Sequence, residues 1–206
     1  MLIKTLVPLL WLAFVLCISA QALSQAKQMT PEEKDRIYTE EILPLIPREG
    51  PVDWDGLDKQ FQKKYGAAGG ELVLKAKPFF FKTVKDWKNM YTSLSQFIKR
   101  YGTDSLKPIS LNMYAWDLFE NFADKDILDN ALTWSSQSMQ RQPNEPNYID
   151  TQANILYRLG RTKEAIELEE KAMGLATKEP TKKAFQSALD KMKKGEPTWP
   201  TAPNPK

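Results

Sequence analysis

The stretch whose reading decides the fold runs from Asn147 to Ala176, NYIDTQANILYRLGRTKEAIELEEKAMGLA. Its apolar residues recur at spacings of three and four, the period of helices that bury one face. Small residues stand at Ala153, Gly160, Ala165 and Ala172. Ala131-Leu132 precedes Ala165-Ile166 by 34 residues, and Ser138 precedes Ala172 by the same 34. A fixed period near that length, with small residues at matching helical positions, marks stacked helix pairs, because small side chains let helices approach closely.

Outward from this stretch the pattern stays helical, and alternating strand-like runs are nearly absent after Gln25. The expected class is all-α. Thr30-Pro31-Glu32-Glu33 carries a helix start, with a capping threonine, a proline at the first position and a glutamate at the third. Ile37, Tyr38, Ile42 and Leu45 give that helix one apolar face, and Pro44, Pro47 and Pro51 end it. Further helices are expected over about 53–65, closed by Gly66 as a left-handed cap, and over about 69–83 and 85–101, closed by Gly102. Asp53-Trp54 and Asp86-Trp87 lie 33 residues apart, whereas the endings FQKKYG at 61–66 and FIKRYG at 97–102 lie 36 apart, so the later helix is about one turn longer. A unit over about 108–143 carries Ala115, Ala131, Ser138 and Pro143. Ala115 to Ala131 spans 16 residues against 12 for Ala153 to Ala165, which predicts a longer inter-helix turn around Ala123–Asp126. A closing helix over about 180–193 places Thr181, Ala184, Phe185, Ala188, Leu189 and Met192 on one face. The proline-rich end, 195–206, is expected to be a flexible tail in which Trp199 does not dock.

The 147–176 stretch resembles a tetratricopeptide repeat: Ala153, Leu156, Gly160, Ala165 and Ala172 fall on that family's signature positions. Gln152 stands where a leucine is usual, Glu169 where an aromatic is usual, and Thr177 where a closing proline is usual. The resemblance implies a superhelix of about four helix pairs over 25–194, with the closing helix as a cap. Carried over position by position, it places ligand-facing residues at Asn112, Trp116, Phe119 and Glu120 in one unit and at Asp150, Asn154, Tyr157 and Arg158 in the next. These form a mixed polar and aromatic concave wall suited to a protein segment. Asn154 matches an asparagine of the subset that clamps a terminal carboxylate, but the lysine expected one turn earlier is Asp150. A wider stretch, from about Trp54 through Ala176, resembles the helical region of some exported bacterial thioredoxin-family proteins. Their Cys-x-x-Cys pair has no counterpart after Cys17, so no oxidoreductase activity follows from that resemblance.

Residues 1–24, MLIKTLVPLLWLAFVLCISAQALS, read as a secretory signal peptide, with Lys4, an apolar run from Leu6 to Ile18 and small residues at Ala20, Ala22 and Ser24. Cleavage is expected after Ala22 or Ser24, giving a periplasmic or secreted chain with no stable membrane span. The sequence has no histidine and one cysteine, Cys17, which removes the parts of histidine acid-base catalysis, Ser-His and Cys-His nucleophiles and ordinary zinc sites. A formal charge of +3, with the signs interleaved, gives no electrostatic case for nucleic acid.

The acid groups Asp53-Trp-Asp-Gly-Leu-Asp58 and Asp124-Lys-Asp-Ile-Leu-Asp129 lack the full ligand set of a calcium loop. They read as helix-start acids, with Asp53 and Asp126 as caps. Glu169-Glu170 and Asp150 read as solvated charges. Of Phe79-Phe80-Phe81, at least one must meet solvent or a neighbouring repeat. Trp54, Trp87, Trp116 and Trp134 read mostly as core. No metal and no cofactor is expected. The expected function is a non-enzymatic, exported module that binds a partner protein or peptide in the envelope. The alternative is a helical accessory of a thiol-redox system, acting with a separate thioredoxin-fold protein.

Overall fold

The computed structural model describes residues 29–201, and the signal-peptide reading of residues 1–24 and the last five residues of the tail lie outside them. Among the described residues every regular element is helical, so the protein is all-α. The described residues divide into two compact units, one ending at Ala76 and the other beginning at Lys77. Residues 25–194, read from sequence as one repeat domain, carry this division inside them.

In the first unit, α1 (Pro31–Ile37) starts in the predicted capping box: Glu33 N–H donates to Thr30 Oγ1 at 3.2 Å and Thr30 N–H donates to Glu33 Oε2 at 2.8 Å. Past Ile37 the chain widens into a π-helical turn, Tyr38–Ile42, and then tightens into a 3₁₀ turn, Leu43–Leu45. The wide turn keeps Ile37 and Ile42 together in the core. It also corrects the expected face, because the break in the 3.6-residue period leaves Leu45 49% exposed.

Asp53 caps α2 (Trp54–Tyr65), its Oδ1 accepting from Gly56 N–H at 2.9 Å. Gly66 ends α2 at φ +62° and ψ −145°. The positive φ is as expected, but the residue leaves the left-handed helical well for an extended conformation that glycine tolerates far better than other residues. The next helix, α3 (Ala67–Thr83), approaches α2 so closely that a Cβ on Gly69 would stand 2.1 Å from the Phe61 carbonyl oxygen. Phe61, Leu72, Val73 and Ala76 complete the core with Ile37 and Ile42. Lys34 pairs with Glu71 at 2.7 Å, and Glu41 accepts from Lys64 at 2.6 Å and from Tyr65 Oη at 2.6 Å.

The second unit takes the end of α3 and then α4 (Trp87–Tyr101), α5 (Pro108–Asn121), α6 (Lys125–Arg141), α7 (Pro146–Arg158), α8 (Thr162–Leu175) and α9 (Glu179–Lys194). Here α5 packs on α6, α6 on α7, α5 on α7, α7 on α8 and α8 on α9. The small residues singled out by their spacing lie where these helices meet: Ala115, Ala131, Ser138, Ala153, Ala165 and Ala172 are all fully buried. Ser138 Oγ also donates to the Pro108 carbonyl at 3.1 Å, tying α6 to the start of α5.

Several local expectations change. The turn between α5 and α6 is residues 122–124, as short as the 159–161 turn between α7 and α8. The four extra residues between Ala115 and Ala131 therefore lengthen the helices; four residues is about one turn, so the alanines keep their faces. Asp124, not Asp126, caps α6, accepting from the N–H groups of Asp126 and Ile127. Asp126 belongs to the first turn. Ala184 is exposed on α9, while Phe185, Leu189 and Met192 carry the buried face. Of the four tryptophans, Trp134 is buried and Trp54, Trp87 and Trp116 are half-buried. In the triple phenylalanine, Phe80 is buried and Phe79 is 46% exposed. Among the described residues no helix is long and apolar enough to cross a membrane.

Candidate functional site

The residues that the repeat resemblance marks as ligand-facing come together in the second unit, on α5 and α7. Asn112 Nδ2 donates to Thr151 Oγ1 at 3.1 Å across the two helices. One turn along α5, the Trp116 ring lies 4.9 Å from that of Phe119, and Trp116 hydrogen-bonds to Glu120. Burial pushes the Glu120 carboxyl above its usual range, and the Trp116 bond opposes that shift. Phe119 is fully buried, and its carbonyl accepts from Arg158 Nη1. On α7, Asn154 Nδ2 donates to the Asp150 carbonyl at 2.9 Å and to its Oδ1 at 3.0 Å.

None of the eight is freely exposed, and the segment after α9 covers Tyr157 and Arg158. Tyr157 Oη donates to the Glu196 carbonyl at 3.0 Å, and the Trp199 ring sits 5.9 Å from the Tyr157 ring. The Arg158 guanidinium lies 5.0 Å from the Trp199 centroid and 5.8 Å from that of Phe119, a cation against two aromatic rings. Burial lowers the pKa of Arg158 from its ordinary value. The expectation that Trp199 stays undocked is thus corrected: an indole gains more by covering Tyr157 and Arg158 than by remaining in water.

What remains open is a cleft of about 320 Å³. Trp116 lines it from α5, Asp150 and Asn154 from α7, Ala188 and Lys191 from α9, and Thr198 from the segment beyond. Two other depressions, of about 380 and 400 Å³, lie along α9 and are lined almost wholly by exposed side chains. Of these three, the 320 Å³ cleft is the one that touches the ligand-facing set.

Behind Asp150 stands a residue misread from the sequence. Glu169 is fully buried, not solvated, and neither of its carboxyl oxygens has a hydrogen-bond partner, although the Asp150 carboxyl stands beside it. Burial and the adjacent Asp150 charge push Glu169 up to about 10, and burial pushes Asp150 up to about 6. Two buried carboxyls side by side cannot both ionise cheaply, so the pair retains a proton into the neutral range. The repeat resemblance held the signal for this burial, because Glu169 occupies a position usually taken by a core aromatic. Lys191, Thr198 and Trp199 were not placed at the site by any spacing. The site's resources are a proton-holding acid pair reached through Asp150, an aromatic wall at Trp116, and a guanidinium shelf that already carries the segment after α9.

No known protein family matches the chain, and neither do the curated proteins or the solved structures compared with it.

Proposed function

We propose that the chain is a non-enzymatic, exported, tetratricopeptide-like module that binds a segment of a partner protein along the face shared by α5 and α7. The observation that carries this is that Trp116, Asp150 and Asn154, three of the eight family-derived positions, line one open cleft beside Tyr157 and Arg158. Three features support the repeat arrangement. The helices from α5 to α9 pack largely in chain order, and the small residues spaced by 34 are buried. Corresponding parts of α5 and α7 meet across 39 residues, at Asn112 with Thr151 and at Phe119 with Arg158. Export rests on the signal-like composition of residues 1–24.

The test uses the full chain as bait in envelope extract beside a Trp116→Ala, Lys191→Glu variant whose circular dichroism matches the parent. Both side chains line the open cleft, so the fold should survive. A partner retained by the parent and lost by the folded variant supports the reading, and an exported thiol oxidoreductase as that partner would give it the accessory role. Recovery of the same proteins by both baits overturns it.

A further inference from the structure

The segment after α9 identifies the chemistry that the α5–α7 face accepts. Gly195 closes α9 in a left-handed conformation, with Glu196 N–H donating to the Lys191 carbonyl at 2.9 Å. The next residues read Glu196-Pro-Thr-Trp-Pro-Thr201. Two features anchor them: the Glu196 carbonyl under the Tyr157 hydroxyl, and the Trp199 indole over Tyr157 and Arg158. Pro197 and Pro200 bracket the bend at Thr198-Trp199, removing two backbone donors and restricting the backbone on either side, so less conformational entropy is lost when it docks. Recognition by a main-chain acceptor plus a ring on a cationic shelf is a way of holding a proline-flanked aromatic peptide.

This occupant fits incompletely. Trp199 is only half-buried, and the Thr198 hydroxyl is buried at the cleft edge with no hydrogen-bond partner. The cleft beyond it, with Trp116 and Asp150 on its walls, stays open. A longer segment of the same kind would keep both anchors and add contacts along that cleft.

We propose that Tyr157, Arg158 and Phe119 form a recognition seat for a proline-flanked aromatic segment, that Glu196–Thr201 fills it within the chain, and that a partner protein enters by presenting a segment of the same chemistry in its place. The proposal rests on the reading of the α5–α7 face as the protein-binding surface. Because only a few residues tether Trp199 to α9, the internal segment competes at an effective concentration on the order of millimolar. An incoming segment therefore succeeds by its additional contacts.

The test titrates a capped peptide, GEPTWPT, into the isotope-labelled full chain and follows backbone amide shifts in the wild type and in Trp199→Ala. In Trp199→Ala, saturable shifts are expected at Phe119, Tyr157 and Arg158. The wild type should need at least tenfold more peptide, and a peptide with alanine for tryptophan should shift neither. No saturable shift in the variant, equal binding by both chains, or equal shifts from the tryptophan-free peptide would each overturn the proposal. A wild-type dimer that the peptide dissociates would assign the seat to the tail of a second copy and overturn it in this form. The two readings fail separately. If the Trp116→Ala, Lys191→Glu bait loses its partner but the peptide does not bind, only the seat is wrong; if the peptide binds and that bait loses nothing, the α5–α7 face reading is wrong.

Discussion

Replacing Glu169 by glutamine changes one buried atom type and tests the shared proton directly. In the folded chain Glu169 keeps its proton up to about 10, whereas in the unfolded chain it ionises near the ordinary value of 4.5. A raised folded pKa contributes stability that is complete below the unfolded value and is lost as pH rises toward the folded one. Between pH 6.5 and 8.5 the unfolded pair is fully ionised, and the folded pair holds about one proton. Over that window stability should fall by about 1 kcal/mol per pH unit. The midpoint of urea unfolding should therefore drop by about 1–2 M for an ordinary urea dependence. The sequence has no histidine to titrate in this range. Glu169→Gln keeps the volume and can donate its amide N–H to Asp150 without taking up a proton, so its midpoint should be nearly flat with pH. It should be the more stable of the two at pH 8.5, by a margin that widens as pH rises. Glu170→Gln, at an exposed site paired with Lys193, should leave the wild-type slope unchanged. The assay is urea unfolding by circular dichroism at several pH values, with hydrogen exchange in α7 and α8 to report on this unit. A wild type that is flat over the window, or a Glu169→Gln variant that keeps the slope, would refute the shared proton.

Three further substitutions probe the framework. Gly69→Ala should destabilise by about 2–3 kcal/mol in chemical unfolding, because its Cβ would meet the Phe61 carbonyl at 2.1 Å and backbone cannot swing aside. Lys85 holds φ +58° at the end of α3, where Lys85 and Asp86 N–H groups donate to the carbonyls of Lys82 and Phe81. Lys85→Gly relieves that left-handed cost and should raise stability by about 0.5–1 kcal/mol, read as a higher unfolding midpoint. Lys82→Met strips Asp117 of its cation in a buried setting and should cost about 3 kcal/mol at pH 7. Burial already raises the Asp117 pKa, so part of that loss should return as pH falls and the carboxyl is protonated.

Much of the fold was legible because its determinants are local. The Thr30–Glu33 capping box, the Asp53 and Asp86 caps and the glycines that end α2 and α4 act within one helical turn. The small residues at a period of 34 mark helix crossings because only a small side chain admits a neighbouring backbone, and all of them are buried. The candidate face was legible only as positions on α5 and α7. Its cover was not, because Tyr157 and Glu196 meet across 39 residues and no local pattern encodes that contact. The placement of four added residues within helices instead of a turn was equally invisible, since either keeps the alanine spacing. Glu169 shows the division most plainly. By itself a Glu-Glu pair on a helix reads as a solvated face. Packing α8 on α7 takes one of the two out of water and sets it against Asp150, and the cost of two buried like charges then fixes a proton there. The sequence determined where helices start, stop and approach; the tertiary structure decided which charges lose their water and which surface is already occupied.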